Sequence, residues 1–152
     1  MSYFASAQST FTSIEGKAQG TTYHIIYKSK NGQNLKNDVD SILTKIDFSL
    51  STYNPKSTIS RINNNDSEIR CDSIFNELFD HARYMNVLSG GDFDITVGPL
   101  VRLWGFGSSR KSNITTERID SILRLTGMDK IKLNNCQLIK NDPGIRLDVN
   151  AI

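Results

Sequence analysis

Three stretches of this sequence carry residue types that scaffolding alone does not need. The first is Ser51-Thr52-Tyr53-Asn54-Pro55-Lys56-Ser57, a polar loop around one aromatic. A tyrosine offers a flat face to a planar ring and a hydroxyl to a hydrogen-bonding partner. Its plain structural role would be to pack the loop, and on this segment alone that role is the better fit. The second stretch runs from Ser89 through Gly90-Gly91-Asp92-Phe93-Asp94-Ile95-Thr96-Val97-Gly98-Pro99-Leu100 to Leu103-Trp104-Gly105-Phe106-Gly107. Its glycines let a backbone approach a ligand closely. Asp92 and Asp94 alternate with Phe93, so on a strand both carboxylates face one side and could hold a ribose, a ring N–H or a cation. A strand entry with exposed acids, followed by a glycine turn with Trp104 in the core, explains the same residues equally well. The third stretch is Arg146-Leu147-Asp148-Val149-Asn150-Ala151. Asp148 points opposite to its apolar neighbours, and the common role for such a residue is a solvent-facing acid on a half-exposed strand.

Other polar residues give weaker signals. His24 falls in a strand pattern and His81 in a helix, neither with a partner at ligand spacing, so both read as structural. Arg102, Arg110 and Lys111 surround the Trp104–Lys111 loop and could meet phosphates, although a solvated basic loop is the simpler reading. Cys71 and Cys136 form no CxxC and have no nearby histidine, which argues against zinc and for buried free thiols. No GxGxxG, P-loop or Ser-His-Asp order is present.

The elements that must position these residues follow from periodicity. Phe11–Lys17 and Thr21–Lys28 read as strands, the second rich in β-branched and aromatic residues, with a turn signal at Asn31-Gly32. Leu35, Val39, Ile42, Leu43, Ile46 and Leu50 recur at helical spacing over 34–50. A short helix fits Thr58 to Asn63. Asp72 can cap a helix from Ser73 to Leu88, with Ile74, Phe75, Leu78, Phe79, Ala82 and Met85 on its inner face and Gly90-Gly91 ending it. Residues 92–97 alternate as a strand, and Pro99 opens a short helix to Trp104. Thr116 caps a further helix with Ile119, Ile122 and Leu123 inward. The tail reads as Lys130–Leu133 and Cys136–Lys140 around an Asn134-Asn135 turn, a second turn at Asp142-Pro143-Gly144, and a strand through Ile145, Leu147 and Val149. Hairpins beside helices predict an α+β fold with a largely antiparallel sheet.

Bulk properties set the frame. The 152 residues suffice for one domain with a core, and 38% hydrophobic with 22% charged residues is an ordinary globular composition. A net charge of +2 gives no reason to expect nucleic acid as a partner. No apolar run approaches the roughly 18 residues a membrane span needs. Residues 1–10 read as a disordered small-residue terminus, although Ala5-Ser6-Ala7 has the form of a signal-peptidase site and would suit the stub of an export signal.

Four blocks in order resemble the ApbE-type family of FAD:protein FMN transferases. They are GTTY at Gly20–Tyr23, STYNPKSTISRIN at Ser51–Asn63, GGDFDITVGPLVRLWGFG at Gly90–Gly107, and RLDVNAI at Arg146–Ile152, which is similar to the start of the family's DLGAIAKG segment. The resemblance covers nearly the whole chain, and the third block is its most specific part. It implies a T-fold-like α+β domain that uses FAD as substrate with Mg²⁺, and an acceptor flavoprotein with a target threonine. Among site residues it implies that Tyr53, Asp92, Phe93, Asp94 and Asp148 contact the flavin nucleotide, and that the main-chain carbonyl of Ala151 reaches the metal. Gln19 stands where the family often has Met, Asp92 where many members have Ala in a GAFD sequence, and Asn150 in place of Gly. Residues 11–152 are thus expected to be the N-terminal part of such a domain, incomplete at the C-terminus and inactive alone, with a periplasmic or inner-membrane-associated location for the full-length form. An FAD pyrophosphatase using water as nucleophile and a non-catalytic flavin-binding piece remain the alternatives.

Overall fold

The computed structural model describes residues 9–30, 32–106 and 114–150. The chain divides into two compact units, Met1–Asp47 and Phe48–Ile152.

In the first unit, β1 (Ser9–Ala18) and β2 (Thr21–Lys30) form an antiparallel hairpin, each longer than the periodicity alone marks. Ala18 pairs with Thr21, so Gln19 and Gly20 are the two turn residues, with φ of 52° and 75°. Two left-handed residues are what a tight hairpin turn needs to match strand twist. The ring of Tyr23 lies across its pairing partner Gly16, where any Cβ would come within 2.6 Å of it. Its hydroxyl donates to Asp40 Oδ1 at 2.5 Å, and Lys36 donates to Asp40 Oδ2 at 2.8 Å. This trio ties β2 to α1 (Lys36–Leu50), whose first turn is further fixed by Asn34 Oδ1 accepting from the Lys36 N–H. Ile42, on the apolar stripe of that helix, is 57% exposed.

The second unit holds the main core. Ile59, Ile62, Phe75, Phe79, Ile95, Ile131, Ile145 and Leu147 are all buried in one cluster. They come from α2 (Thr58–Asn63), α3 (Ser73–Leu88), the hairpin β3 (Ile131–Asn134) and β4 (Gln137–Lys140), and two irregular segments. Asp72 caps α3 through the Phe75 N–H at 2.9 Å. The same carboxylate accepts from Ser49 Oγ at 2.8 Å and Thr58 Oγ1 at 2.6 Å. One acid thus joins the end of α1 and the starts of α2 and α3. Two further helices, α4 (Gly98–Leu103) and α5 (Thr116–Leu123), belong to the same unit.

The α+β class with antiparallel strand pairing is as expected, but among the described residues the strands form two two-stranded sheets. Several local expectations are corrected. Asp92–Val97 is not a strand: Asp94 accepts from both the N–H and the hydroxyl of Thr96, which turns the chain, and only Val97 bridges, in parallel, to Arg146. Ile145, Leu147 and Val149 are buried alternately as predicted, yet that one bridge is the only ladder contact their segment makes among the described residues. The β3–β4 turn is Asn135-Cys136, with φ of 48° and 58°, one residue later than Asn134-Asn135. Thr115 rather than Thr116 caps α5, and Leu123 is 47% exposed. Both cysteines are free, but Cys136 is exposed.

Candidate functional site

The loop after α1 is held by serines. Ser51 Oγ accepts from the N–H groups of Tyr53 and Asn54 at 3.3 and 3.2 Å, while Ser57 and Ser60 donate their hydroxyls to Ser51 O at 2.6 and 3.0 Å. These bonds fix the backbone and leave the Tyr53 side chain outside: it is 69% exposed. A tyrosine that packed the loop would be covered, so the packing role considered for Tyr53 is not the one it has.

The second segment is equally well tethered. Phe93 N–H donates to Ser89 Oγ at 2.9 Å, and Asn86 Nδ2 donates to Phe93 O at 2.7 Å. Asp94 Oδ2 accepts from the Met128 N–H at 3.1 Å, in addition to the two donors of Thr96. Thr96 is fully buried and its hydroxyl accepts from the Gly127 N–H at 2.7 Å. Asp94 is therefore a fastener, whereas Asp92 is exposed and its carboxylate accepts no hydrogen bond from a described residue. The two acids, expected on one face of a strand, have different surroundings. Trp104, placed in the core by the plain reading, is 48% exposed, and Phe106 is 68% exposed.

The third segment is pinned by a residue that sequence reasoning passed over. Asn63, at the end of α2, accepts the Leu147 N–H at 2.7 Å and donates to Leu147 O at 2.9 Å. Its amide side chain substitutes for a neighbouring strand, so the backbone polar groups of a buried residue are satisfied without a sheet. Asp148 N–H donates to Ile95 O at 2.8 Å, which joins the third segment to the second. The Asp148 side chain is half-buried, and its Oδ1 accepts from Asn150 N–H and Nδ2 at 3.0 and 2.7 Å. Asn63 lies 84 residues from Leu147; the Asn63-Asn64-Asn65 run carries no mark of that partnership.

These three segments border one open cleft of about 720 Å³, within the range of roughly 300–1,000 Å³ usual for small-molecule sites. Tyr53, Asp92, Phe93, Asp94 and Asp148 all line it. So do Arg102, which the sequence alone reads as a solvated loop residue, and Arg146. Burial, and secondarily the charge of Arg102, pushes the Arg146 guanidinium below its ordinary value. The cleft therefore offers aromatic faces, carboxylates and guanidinium groups together. Arg110, Lys111 and Ala151 lie outside the described residues.

Mg²⁺ favours octahedral oxygen ligation, commonly one or two carboxylates completed by waters and substrate phosphates, and the described residues build no protein cage for it. No group of three or more His, Cys, Asp or Glu side chains among them could hold a metal. Asp94 is occupied by Thr96 and Met128, and Asp148 is partly occupied by Asn150.

One cleft of this α+β unit thus gathers an exposed tyrosine, a glycine-bearing acidic turn and an Asp-bearing segment. The ApbE family model matches residues 19–152, and the chain belongs to that family. It is 30% identical over 154 residues to the FAD:protein FMN transferase of Haemophilus influenzae, covering 92% of this chain and 44% of that protein. The FAD:protein FMN transferase of Vibrio cholerae is also 30% identical, with 91% and 44% covered. Among solved structures, the flavin transferase ApbE from Vibrio cholerae superposes with a TM-score of 0.83 at 29% identity, over 93% of this chain and 48% of that one. The apo form of the Pseudomonas stutzeri flavinyl transferase ApbE gives 0.83 at 28% identity, over 99% and 52%. This chain thus spans about half the length of the relatives it matches.

Proposed function

We propose that this protein serves the transfer of FMN from FAD to a threonine hydroxyl of an acceptor flavoprotein, with release of AMP. The observation that carries this reading is convergence. Five residues from three separate segments, Tyr53, Asp92, Phe93, Asp94 and Asp148, border one cleft in a chain of the ApbE family. In the reaction, the threonine Oγ bonds to the FMN-side phosphorus as the bond from that phosphorus to the bridging oxygen breaks. AMP leaves with the bridging oxygen, and the hydroxyl proton is released.

The work assigned to the described residues is binding and orientation. Tyr53 presents an exposed face on a backbone fixed by Ser51, which suits stacking on a planar ring. Asp92 and the free oxygen of Asp148 suit ribose hydroxyls or a ring N–H. Asp94 holds the turn that places Asp92 and Phe93. Dependence on Mg²⁺ belongs to the proposal through the family resemblance; no step is assigned to the ion, because the described residues build no protein cage for it. A periplasmic or inner-membrane-associated location is proposed on the same resemblance together with Ala5-Ser6-Ala7.

The test is to incubate the protein with FAD, Mg²⁺ and a threonine-bearing acceptor peptide and to weigh the peptide by mass spectrometry. Addition of one FMN phosphoester supports transfer. An unmodified peptide with AMP released points instead to a pyrophosphatase, and FAD bound but intact to a binding module.

A further inference from the structure

We propose that Arg102 and Arg146 form a two-guanidinium seat in this cleft that takes the pyrophosphate of a dinucleotide. The proposal rests on the flavin-nucleotide reading above and adds to it the groups that hold the phosphates.

Geometry brings the two arginines together. Gly98 opens α4 directly against Arg146: a Cβ at Gly98 would lie 2.6 Å from the Arg146 carbonyl oxygen and 3.1 Å from its Cβ. The Val97–Arg146 bridge fixes the same contact. Arg102 is four residues further along α4, on the helix face that Gly98 presents to Arg146. Helix side chains lean toward the N-terminus, so Arg102 leans toward Arg146. Both residues line the cleft.

Neither is in an ion pair with a described residue. The ion pairs Lys36–Asp40, Arg61–Asp66, Glu77–His81 and Asp80–Arg83 all lie outside the cleft. Neither guanidinium donates a hydrogen bond to a described residue. Of the cleft's aspartates, Asp94 is held by Thr96 and Met128, Asp148 by Asn150, and Asp92 by no described side chain, yet none of the three pairs with either guanidinium. Two guanidinium groups that line one cleft and are paired with none of its carboxylates are available to an incoming anion. Guanidinium forks match phosphate oxygens two at a time. Two forks side by side suit two linked phosphates, while the carboxylates of Asp92 and Asp148 repel phosphate and leave their part of the cleft to sugar and ring.

The test is calorimetric titration of the whole chain with inorganic pyrophosphate, ADP, FAD and riboflavin, for the wild type, Arg102→Met, Arg146→Met and Arg146→Lys. Pyrophosphate, ADP and FAD are expected to bind the wild type. Each Met variant should weaken all three by about tenfold or more, as expected for loss of charge-assisted bonds. Arg146→Lys should recover part of the loss, and riboflavin, which has no phosphate, should be unaffected throughout. Arg102 is exposed, so Arg102→Met tests the seat even if Arg146→Met fails to fold by circular dichroism. Failure of pyrophosphate to bind the wild type, or wild-type pyrophosphate affinity in Arg102→Met, would overturn the proposal. Pyrophosphate held through the arginines, with FAD and riboflavin both refused, would keep the seat and remove the flavin reading. FAD bound with no dependence on either arginine would do the reverse.

Discussion

The three acids of the cleft differ in what their oxygens already do, and this separates their expected mutant behaviour. Asp94 satisfies donors from Thr96 and Met128, so Asp94→Ala leaves backbone N–H groups unpaired. We expect a loss of about 1–3 kcal/mol in urea unfolding, the usual cost of orphaning a buried donor. Asp92 is exposed and fastens nothing among the described residues, so Asp92→Ala should leave the unfolding midpoint within about 0.5 kcal/mol of wild type. Under the proposed function it should still weaken FAD binding, measured by flavin fluorescence. The sequence showed that these acids were unusual without showing how they divide. Strand alternation puts Asp92 and Asp94 on one face, but an aspartate two residues before a threonine captures that residue's backbone N–H locally. Tyr53 was legible as an aromatic in a polar loop; its exposure was not, because Ser51, Ser57 and Ser60 close the loop without it. Asn63 and Arg146 were invisible because their partners lie far along the chain.

At the scale of elements, Asp72 is the joint of the second unit. Burial alone would raise its carboxyl, but hydrogen bonds from Thr58, the Phe75 N–H and Ser49 outweigh it and hold the group below its ordinary value of 3.8. The folded state therefore keeps this carboxylate ionised where the unfolded chain protonates it. Its contribution is complete above the unfolded value and is lost as pH falls below about 3.8 through the lower folded value. Asp72→Asn should unfold at lower urea than wild type near neutral pH, and the gap between the two midpoints should close as the pH falls below that value. A gap independent of pH would show that the charge contributes nothing. Gly98 is the second element-scale constraint. A methyl group there meets the Arg146 backbone at 2.6 Å, so Gly98→Ala must push α4 away from the Asp148 segment. We expect it to lower both thermal stability and FAD affinity, read by a melting curve and a titration on the same sample. Helices were the most legible elements, because Asp72 and Pro99 mark their starts and Gly90 a stop. The segments 92–97 and 145–149 were misread as regular strands because burial alternates in the second and glycines bound the first. Their pairing is instead supplied by side chains such as Asn63 and by a single bridge.

For the whole molecule, family membership and the shared cleft support one functional reading, while the relatives it matches are about twice as long. No described helix is long and apolar enough to cross a membrane. The α+β class was readable from composition and periodicity, and the ordered blocks carried the family. The division into two sheets was not readable, since hairpin signals are local and say nothing of whether one hairpin pairs with another. The claim on which the rest stands is that this cleft holds FAD through residues of all three segments. Titration of FAD with the whole chain, followed by flavin fluorescence, tests it most directly, with Tyr53→Ala and Asp148→Ala alongside. The expected result is saturable quenching by the wild type and at least about a tenfold loss of affinity in each variant, in line with losing a stacking face or a charged hydrogen-bond partner. Saturable quenching that both variants retain unchanged would contradict the site, and no quenching by the folded wild type would contradict the flavin reading itself.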